Sequence, residues 1–304
     1  MNLENDFIKT LIESPNTTEI ICKKLLNIWQ DSLTDDIENY LYKGEKETFL
    51  FEEFISNTYF EFYEKLLPES CQRKSLKIDN IDDDNGFVFL DGFSIREGVL
   101  LFNALKNLKY QVTLGYSFSV IPSDTLSFRD KLKKDNPGLK NFKEIKSADH
   151  INLSKNDRLI WSFFPDILLS NIQIGRTIIS SIKNMYNTTE KIVNDIFEKI
   201  DAKKIIITSD HGYIRLDSGN AISVKQSQIE KLKNIFGSSR YISADKIDEN
   251  QISEKEKEYI TLFSDFYMVK SRYSWPVAGK YNIYQHGGIS LMECITPLIT
   301  IERE

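Results

Sequence analysis

The sequence predicts an α/β fold in which a mainly parallel central sheet is flanked by helices and preceded by a helical amino-terminal region. Two observations favour this class. The apolar strand candidates after Gly86 are continuous rather than alternating, which indicates strands buried on both faces. Helix-like segments separate these candidates along the chain, as in sheets that are covered by helices.

Composition sets the broad class of the protein. The 304 residues are 41% hydrophobic and 12% aromatic, so the chain can bury a sizeable core. A net charge of -6 argues against attraction of the whole surface to nucleic acid or anionic lipid, although a local basic groove stays open. Three scattered cysteines without CxxC spacing indicate a reducing compartment rather than a zinc ribbon or disulfide framework.

The ends of the sequence and its apolar runs bear on location. The amino terminus, "MNLENDFIKT", lacks a basic segment followed by an apolar one, so no signal peptide is expected. No apolar run approaches the ~20 residues that a helix needs to span a bilayer. We therefore expect a cytoplasmic, soluble protein with no membrane partner.

Residues 1–80 are predicted to be helical. Apolar residues recur at three- and four-residue steps before and after Pro15, which interrupts the first helical stretch. The segment "FLFEEFISNTYFEFYEKLL" from Phe49 carries a further aromatic stripe, which fits either a core face or a partner-binding face. The acidic, turn-rich "DNIDDDNG" then predicts a boundary, with a second unit at residues 86–304.

Four strands are predicted in the second unit, at residues 87–92, 111–120, 158–166 and 203–210. The lysine-rich stretch 131–158 is predicted to cross the surface. Asn187 and Glu190 fit a capping box within a long helical stretch, and residues 213–224 fit a hairpin.

Acidic residues stand at the ends of three of these four strands. Asp91, Asp166 and Asp210 close their strands, His211 follows Asp210, and His286 precedes two glycines in "YQHGGIS". In an open α/β sheet, ligands bind outside the carboxyl ends of the strands, where three carboxylates would repel one another unless a cation lay between them. Aspartate and neutral histidine suit zinc or manganese. Each aspartate on its own also fits a turn or a helix cap.

The second strand leads into "VIPSDTLS", in which Pro122 precedes Ser123 and Thr125. A hydroxyl beside a metal at this sheet edge can lose its proton and become a nucleophile. The same residues also serve as ordinary helix caps, and the local sequence does not decide between the two.

Several of these motifs resemble the PglZ family of the alkaline-phosphatase superfamily. "ITSDHG" with the later "SSRY" is similar to the central motif of that family, and "HGGISLMECITPLITI" resembles its carboxy-terminal motif. "FVFLDGFSIRE" and "VIPSDTLS" occupy the places of the first metal aspartate and the nucleophile turn. The resemblance covers roughly residues 86–304 and implies an alkaline-phosphatase-like fold.

The resemblance implies a metal-dependent phosphatase or phosphodiesterase that holds one or two zinc ions, with manganese as the alternative ion. Thr125 is the implied nucleophile. The implied metal ligands are Asp91, Asp210, His211 and Thr125 at the first site and Asp166 and His286 at the second. Four residues after Asp166, where this superfamily commonly has another ligand, the chain carries Ser170, a poor metal ligand.

Two function classes therefore stay open. The first is a phosphohydrolase acting on a phosphate ester such as a nucleotide or a nucleic-acid end, in an anti-phage defence system. The second is a catalytically weak or inactive PglZ-fold module for assembly or regulation in defence or signalling, with partners bound through the amino-terminal helices; Ser170 favours this one. A nucleotide-binding enzyme with a GxGxxG motif or P-loop is disfavoured, because neither motif follows any strand.

Overall fold

A computed structural model gives the fold of this chain. It describes residues 5–74, 78, 84–106, 110–139, 141–172, 178–217, 219–277 and 283–303. Within these residues the chain forms a mixed α/β structure around a six-stranded sheet.

The central sheet is mostly parallel. Its strands, in spatial order, are β2 (Gln111–Phe118), β13 (Ile295–Glu302), β5 (Lys204–Thr208), β1 (Asn85–Leu90), β4 (Leu159–Ser162) and β3 (Lys143–Ile145). Strand β13 runs antiparallel to both of its neighbours, and the other five strands run in one direction. The mainly parallel α/β sheet predicted from the sequence is therefore confirmed.

The remaining elements surround this sheet. The helices before it are α1 (Asn5–Glu13), α2 (Thr17–Asp31), α3 (Ile37–Thr58), a π-helical segment (Phe62–Leu66) and α4 (Leu67–Lys74). The later helices are α5 (Ile95–Lys106), α6 (Thr125–Asp135), α7 (Asp166–Ile172), α8 (Ile178–Lys199), α9 (Gln226–Phe236), α10 (Glu254–Lys257) and α11 (Leu291–Cys294), with short 3-10 turns at Ala244–Lys246 and Glu249–Gln251. The smaller strands are β6 (Ile214–Arg215), β7 (Ile222–Ser223), β8 (Tyr241–Ser243), β9 (Ile260–Phe263), β10 (Phe266–Val269), β11 (Tyr273–Ser274) and β12 (Tyr284–Gln285).

The central position of β1 explains why its residues 87–90 are all apolar. Val88 packs in one core cluster with Ile196 of α8, whereas Phe89 packs in another with Phe128 of α6. Successive side chains of a strand point to opposite faces, so both faces of β1 are covered by helices. This burial positions the carboxyl end of β1, and hence Asp91, inside the molecule.

Strand β13 carries a proline although it lies between two other strands. Pro297 pairs with Tyr116 of β2, while pairing with β5 begins only at Ile299. On the β5 side, the Thr208 hydroxyl donates to the carbonyl of Pro297 at 2.9 Å. The missing N–H of the proline therefore falls beyond the β5 ladder, where it costs no strand hydrogen bond.

The amino-terminal helices pack on the sheet unit. Ile21 and Trp29 of α2 and Phe51 of α3 share one core cluster with Val99 of α5 and Ile295 of β13. The interruption predicted at Pro15 falls between α1 and α2, as expected. The division into residues 1–80 and 86–304 stays a prediction.

Buried ion pairs reinforce this packing. Arg272 pairs with Glu45 of α3 at 3.1 Å and with Glu52 of the same helix, and Glu45 also pairs with Arg96 of α5 at 2.5 Å. All four side chains are at most 3% exposed. Glu52 also accepts the backbone N–H of Leu291 at 2.6 Å, three residues after the His-Gly-Gly motif. These charges join the amino-terminal helices to the segment that carries the site.

Three local predictions differ from the structure. The predicted hairpin is wrong, because β6 pairs with β12 and β7 pairs in parallel with β11. Asn187 does not start a helix, since α8 runs unbroken from Ile178 to Lys199. Within the stretch predicted to cross the surface, β3 adds a strand to the edge of the main sheet. The differences at the hairpin and at β3 come from pairing between distant strands, which local sequence patterns do not contain.

None of the described helices combines the length and apolar character needed to cross a membrane.

Candidate metal centre

Four of the predicted site residues meet at the carboxyl ends of adjacent strands. Asp91 directly follows β1, Asp210 and His211 follow β5, and Thr125 is the first residue of α6. The Thr125 Oγ1 atom donates to Asp210 Oδ2 at 2.7 Å and lies 3.1 Å from Asp91 Oδ1 and 3.3 Å from His211 Nε2. The hydroxyl is therefore surrounded by two carboxylates and one imidazole.

The Asp91–Asp210–His211 cluster has the chemistry of a metal site. One ligand atom from each of these buried residues lies within 4.8 Å of the others. His211 Nε2 is 3.7 Å from Asp91 Oδ1 and 3.6 Å from Asp210 Oδ2. Two carboxylate oxygens and one imidazole nitrogen are a donor set that zinc accepts, with a further position left open at a catalytic ion. The residues present therefore fit a divalent cation.

Backbone groups fix the Asp210 carboxylate. Its Oδ1 atom accepts the N–H of Gly92 at 3.1 Å and that of His211 at 2.9 Å. Ser209 Oγ, 2.7 Å from the carbonyl of Leu90, accepts the N–H of Phe93 at 2.9 Å and ties the turn after β5 to the turn after β1. Oδ1 is thus occupied by the protein, whereas Oδ2 faces Thr125.

The His211 ring is oriented by its own turn. Its Nδ1 lies 2.9 Å from the carbonyl of Gly212, which can only accept, so Nδ1 carries the proton and Nε2 presents its lone pair to the cluster. Gly212 in turn donates its N–H to the carbonyl of Glu293 at 2.9 Å. The "SDHG" segment is therefore anchored to the segment after "HGG".

Gly212 should tolerate no side chain. A Cβ at this position would lie 2.1 Å from the carbonyl oxygen of Met292, a backbone atom that cannot rotate away. We expect Gly212→Ala to lower the free energy of unfolding by at least about 3 kcal/mol, the upper range for overpacking. Urea unfolding followed by circular dichroism measures this.

The matched control for Gly212 is Gly138→Ala, because a Cβ at Gly138 would meet nothing within 4 Å. We expect it to change the stability by no more than about 0.5 kcal/mol. A Gly212→Ala protein as stable as the control would contradict the close approach of Met292.

The two residues predicted for a second metal lie next to the first cluster. The His286 ring stacks on the His211 ring at 4.1 Å with an interplanar angle of 14°. The backbone N–H of Asp166 donates to the carbonyl of Asp91 at 3.0 Å. Across the described residues, however, the one group of three acidic, histidine or cysteine side chains at metal-ligand spacing is Asp91–Asp210–His211. The side chain of Ser170 lies outside the described part of the chain.

Charge and burial act together on the titratable groups. Burial, the charge of Asp210 and that of Asp166 raise the pKa of Asp91 to about 8. Burial favours the neutral form of His211, but the neighbouring carboxylates outweigh it and raise its pKa. Burial and His211 lower the pKa of His286. The cluster holds more negative charge than its buried position favours, which is the electrostatic condition for binding a cation.

The turn that precedes Thr125 is tied to the His-Gly-Gly segment. Ser123 Oγ donates to the carbonyl of Gly288 at 2.8 Å and accepts the N–H of Gly287 at 3.0 Å. The cap of α6 is Asp124, whose carboxylate accepts the N–H of Ser127 at 3.0 Å. Neither Ser123 nor Thr125, the two hydroxyls that the sequence offered as caps, caps this helix. Ser123 instead bonds to the His-Gly-Gly segment, and Thr125 bonds to Asp210.

Two charged residues contribute in ways that sequence reasoning missed. Glu293 forms a buried ion pair with Arg240 at 2.7 Å and accepts the N–H of Gly288 at 2.8 Å. The signal was present, since Arg240 belongs to the "SSRY" motif. Arg129 pairs with Glu144 at 3.2 Å and lies 4.1 Å from the centre of the Trp161 ring.

Comparison with known proteins supports the class of the fold. Residues 167–301 match the sequence model of a family described as the BREX system PglZ alkaline phosphatase-like domain. The matched range contains Asp210, His211 and His286. It is less than half of the 304 residues and does not include Asp91 or Thr125. No curated protein sequence matches the chain.

Solved structures give remote matches. Murine ectonucleotide pyrophosphatase/phosphodiesterase 5 is 10% identical with a TM-score of 0.24, and the match covers 49% of this chain and 48% of that protein. Phosphonoacetate hydrolase from Sinorhizobium meliloti, in complex with phosphonoformate, is 10% identical with a TM-score of 0.25, over 48% of this chain and 46% of that protein. The matches thus span about half of each known protein.

Proposed function

We propose that the chain is a divalent-metal-dependent phosphoric ester hydrolase with Thr125 as its nucleophile. The observation that carries this proposal is the position of Thr125 Oγ1, within 3.3 Å of one ligand atom each from Asp91, Asp210 and His211. The alkaline phosphatase-like family to which residues 167–301 match supports phosphoester chemistry. A partly buried hydroxyl in such surroundings can be deprotonated and directed at an electrophile.

Asp91, Asp210 and His211 would hold the first ion, and Asp166 and His286 would take part in holding a second. When bound, the ion acts as a Lewis acid that favours the deprotonated hydroxyl and neutralises charge on the phosphoryl group. Zinc is the proposed ion because of the mixed oxygen and nitrogen donors, and manganese is the alternative.

The residues of the chain perform the rest of the reaction. Thr125 Oγ1 gives up its proton toward Asp210 Oδ2, 2.7 Å away, and forms a bond to phosphorus while the ester P–O bond breaks. The leaving alkoxide takes up a proton from solvent. Water then attacks the phosphothreonine and passes its proton to solvent, which releases the phosphate product, and Asp210 returns its proton to Thr125 Oγ1. Because α6 begins at Thr125, the positive end of its helix dipole faces the phosphoryl group throughout.

The direct test is hydrolysis of bis(p-nitrophenyl) phosphate and of p-nitrophenyl phosphate by the full chain loaded with zinc or manganese. We expect turnover that is lost after chelation and restored by adding the ion back. No hydrolysis of either ester with zinc, manganese or magnesium would overturn the proposal and favour the non-catalytic module that Ser170 suggests.

Metal binding is a separate prediction. Asp210→Asn removes a ligand charge from a buried cluster, so we expect the affinity for zinc to fall at least about 100-fold, measured by calorimetry. The matched control is Asp149→Asn, because the Asp149 side chain is 84% exposed. Equal zinc affinity in Asp210→Asn and the native chain would show that the ion binds elsewhere.

The biological setting is part of the same proposal. The family description names a BREX system, which supports a role in anti-phage defence. The proposed substrate is a nucleotide or a nucleic-acid end. The amino-terminal helices are the proposed docking surface for protein partners, and the cytoplasm is the proposed location.

A further inference from the structure

A cavity of about 530 Å³ lies in the segment between His211 and β13. Its apolar wall includes Leu216, Ile222, Tyr273, Trp275, Pro276 and Val277. The volume falls within the range of pockets that bind small molecules. The cavity is distinct from the candidate metal centre, because none of the metal-ligand candidates lines it.

The charged residues of the cavity are neutralised by the protein itself. Asp217 accepts from Arg215 at 2.9 Å and from Asn220 at 2.6 Å. Arg240 donates to both carboxylate oxygens of Glu293 and to backbone carbonyls, including that of Tyr273 at 3.0 Å. Among the described residues of the wall, neither charged side chain is left unpaired to bind a phosphate or carboxylate, and the chemistry of this part of the wall suits an uncharged group.

Three polar side chains in the wall remain available. Within the part of the chain that the structure describes, no hydrogen bond engages the side chains of Ser223, Ser274 or Gln285. The amide of Gln285 offers both a donor and an acceptor, the pair that matches the edge of a heteroaromatic base. The two hydroxyls can each donate or accept.

An indole in the wall is held in place before any ligand arrives. Trp275 donates its Nε1–H to the carbonyl of Gly237 at 3.0 Å, and its ring lies 5.8 Å from that of Phe236. A fixed aromatic face favours stacking of a planar ring, because little side-chain entropy is lost on binding.

We propose that this cavity binds the uncharged heteroaromatic base of a nucleoside, with Trp275 as the stacking partner and Gln285 as the hydrogen-bonding partner. The inference rests on the cavity alone and does not depend on the proposed hydrolase activity. The cavity adjoins the metal centre along the chain, because Gln285 directly precedes His286, whose ring stacks on that of His211.

The test is calorimetric titration of the full chain with adenosine, guanosine, cytidine and uridine, which carry no phosphate to be hydrolysed. We expect saturable binding of at least one nucleoside, with no binding of inorganic phosphate or free ribose. Gln285→Leu and Trp275→Leu should each weaken that binding at least tenfold. The matched control is Gln251→Leu, an exposed glutamine outside the cavity, which should bind like the native chain.

Unfolding curves show whether each variant folds, and Ser274→Ala replaces any variant that does not. Absence of binding by all four nucleosides up to millimolar concentration overturns the proposal. Binding that is unchanged in both wall variants overturns it as well. Because neither metal nor ester enters the assay, its failure is distinguishable from a failure of the hydrolase proposal.

Discussion

Replacing Thr125 with alanine should reduce hydrolysis of bis(p-nitrophenyl) phosphate by at least ~10³-fold, because the variant lacks the oxygen that attacks phosphorus. Asp91, Asp210 and His211 remain in Thr125→Ala, and three ligands are enough to hold a catalytic zinc ion. We therefore expect the zinc content, measured by elemental analysis, to stay at the native level. Loss of activity with retention of metal is the combination that identifies a nucleophile.

The matched control is Thr125→Ser, which keeps the hydroxyl and removes only the methyl group. We expect it to retain activity within about a hundredfold of the native enzyme, since serine and threonine are both competent nucleophiles. Rapid acid quenching during turnover should trap phosphate on residue 125 in the native chain and in Thr125→Ser. If Thr125→Ala hydrolyses the diester as fast as the native chain, the threonine is not the nucleophile.

Replacing Arg272 with methionine should lower the free energy of unfolding by about 3–5 kcal/mol, because it leaves Glu45 and Glu52 buried without their shared cation. Arg272 is fully buried. Water could therefore solvate the two glutamates in the variant only if the packing between α3 and the sheet unit opened. Urea unfolding at pH 8 measures the loss.

The matched control is Lys65→Met, which removes an ion pair with Glu61 in which both side chains are more than half exposed. An exposed pair of this kind contributes about 0.3–0.5 kcal/mol, so the control should change little. A loss as small as this in Arg272→Met would mean that the buried pairs do not hold the helices to the sheet unit.

The pH dependence of Arg272→Met follows from Glu52. Burial raises the pKa of Glu52 even though Arg272 opposes the effect, so removing the arginine raises the pKa further. A carboxyl group whose pKa is higher in the folded state binds more protons there, and stability falls as the pH rises. The destabilisation by Arg272→Met should therefore be smaller at pH 5 than at pH 8.

Much of the sheet could be predicted because its parallel strands are encoded locally. Strands β1 and β5 each contain an uninterrupted apolar run, and an aspartate follows within two residues of the end of each strand. Adjacent parallel strands deliver their carboxyl ends to one edge, so the proximity of Asp91 to Asp210 followed from pattern alone. The encounter of Thr125 with both needed the family resemblance, because a hydroxyl after a proline has several ordinary uses.

The features that were not foreseen depend on partners far away in sequence. The turn residues around Asp217 suggested a hairpin, but the strands on either side pair with segments more than 45 residues downstream. Arg240 and Glu293 each lie in a motif that resembles the family, but nothing in either motif indicates that the two side chains pair with each other. Local patterns specify which segments are strands and helices, whereas the choice of partner is made by the packing of the whole chain.

The place of β13 bears on how the molecule folds. Among the described strands of the central sheet, β13 is the only neighbour of β2. β2 can therefore pair only after a segment that follows it by about 180 residues has reached the sheet. Until β13 arrives, β2 presents an open edge on which other chains can pair. The large sequence separation of this contact predicts slow folding. While β2 is unpaired, its exposed edge makes the partly folded chain a substrate for chaperones.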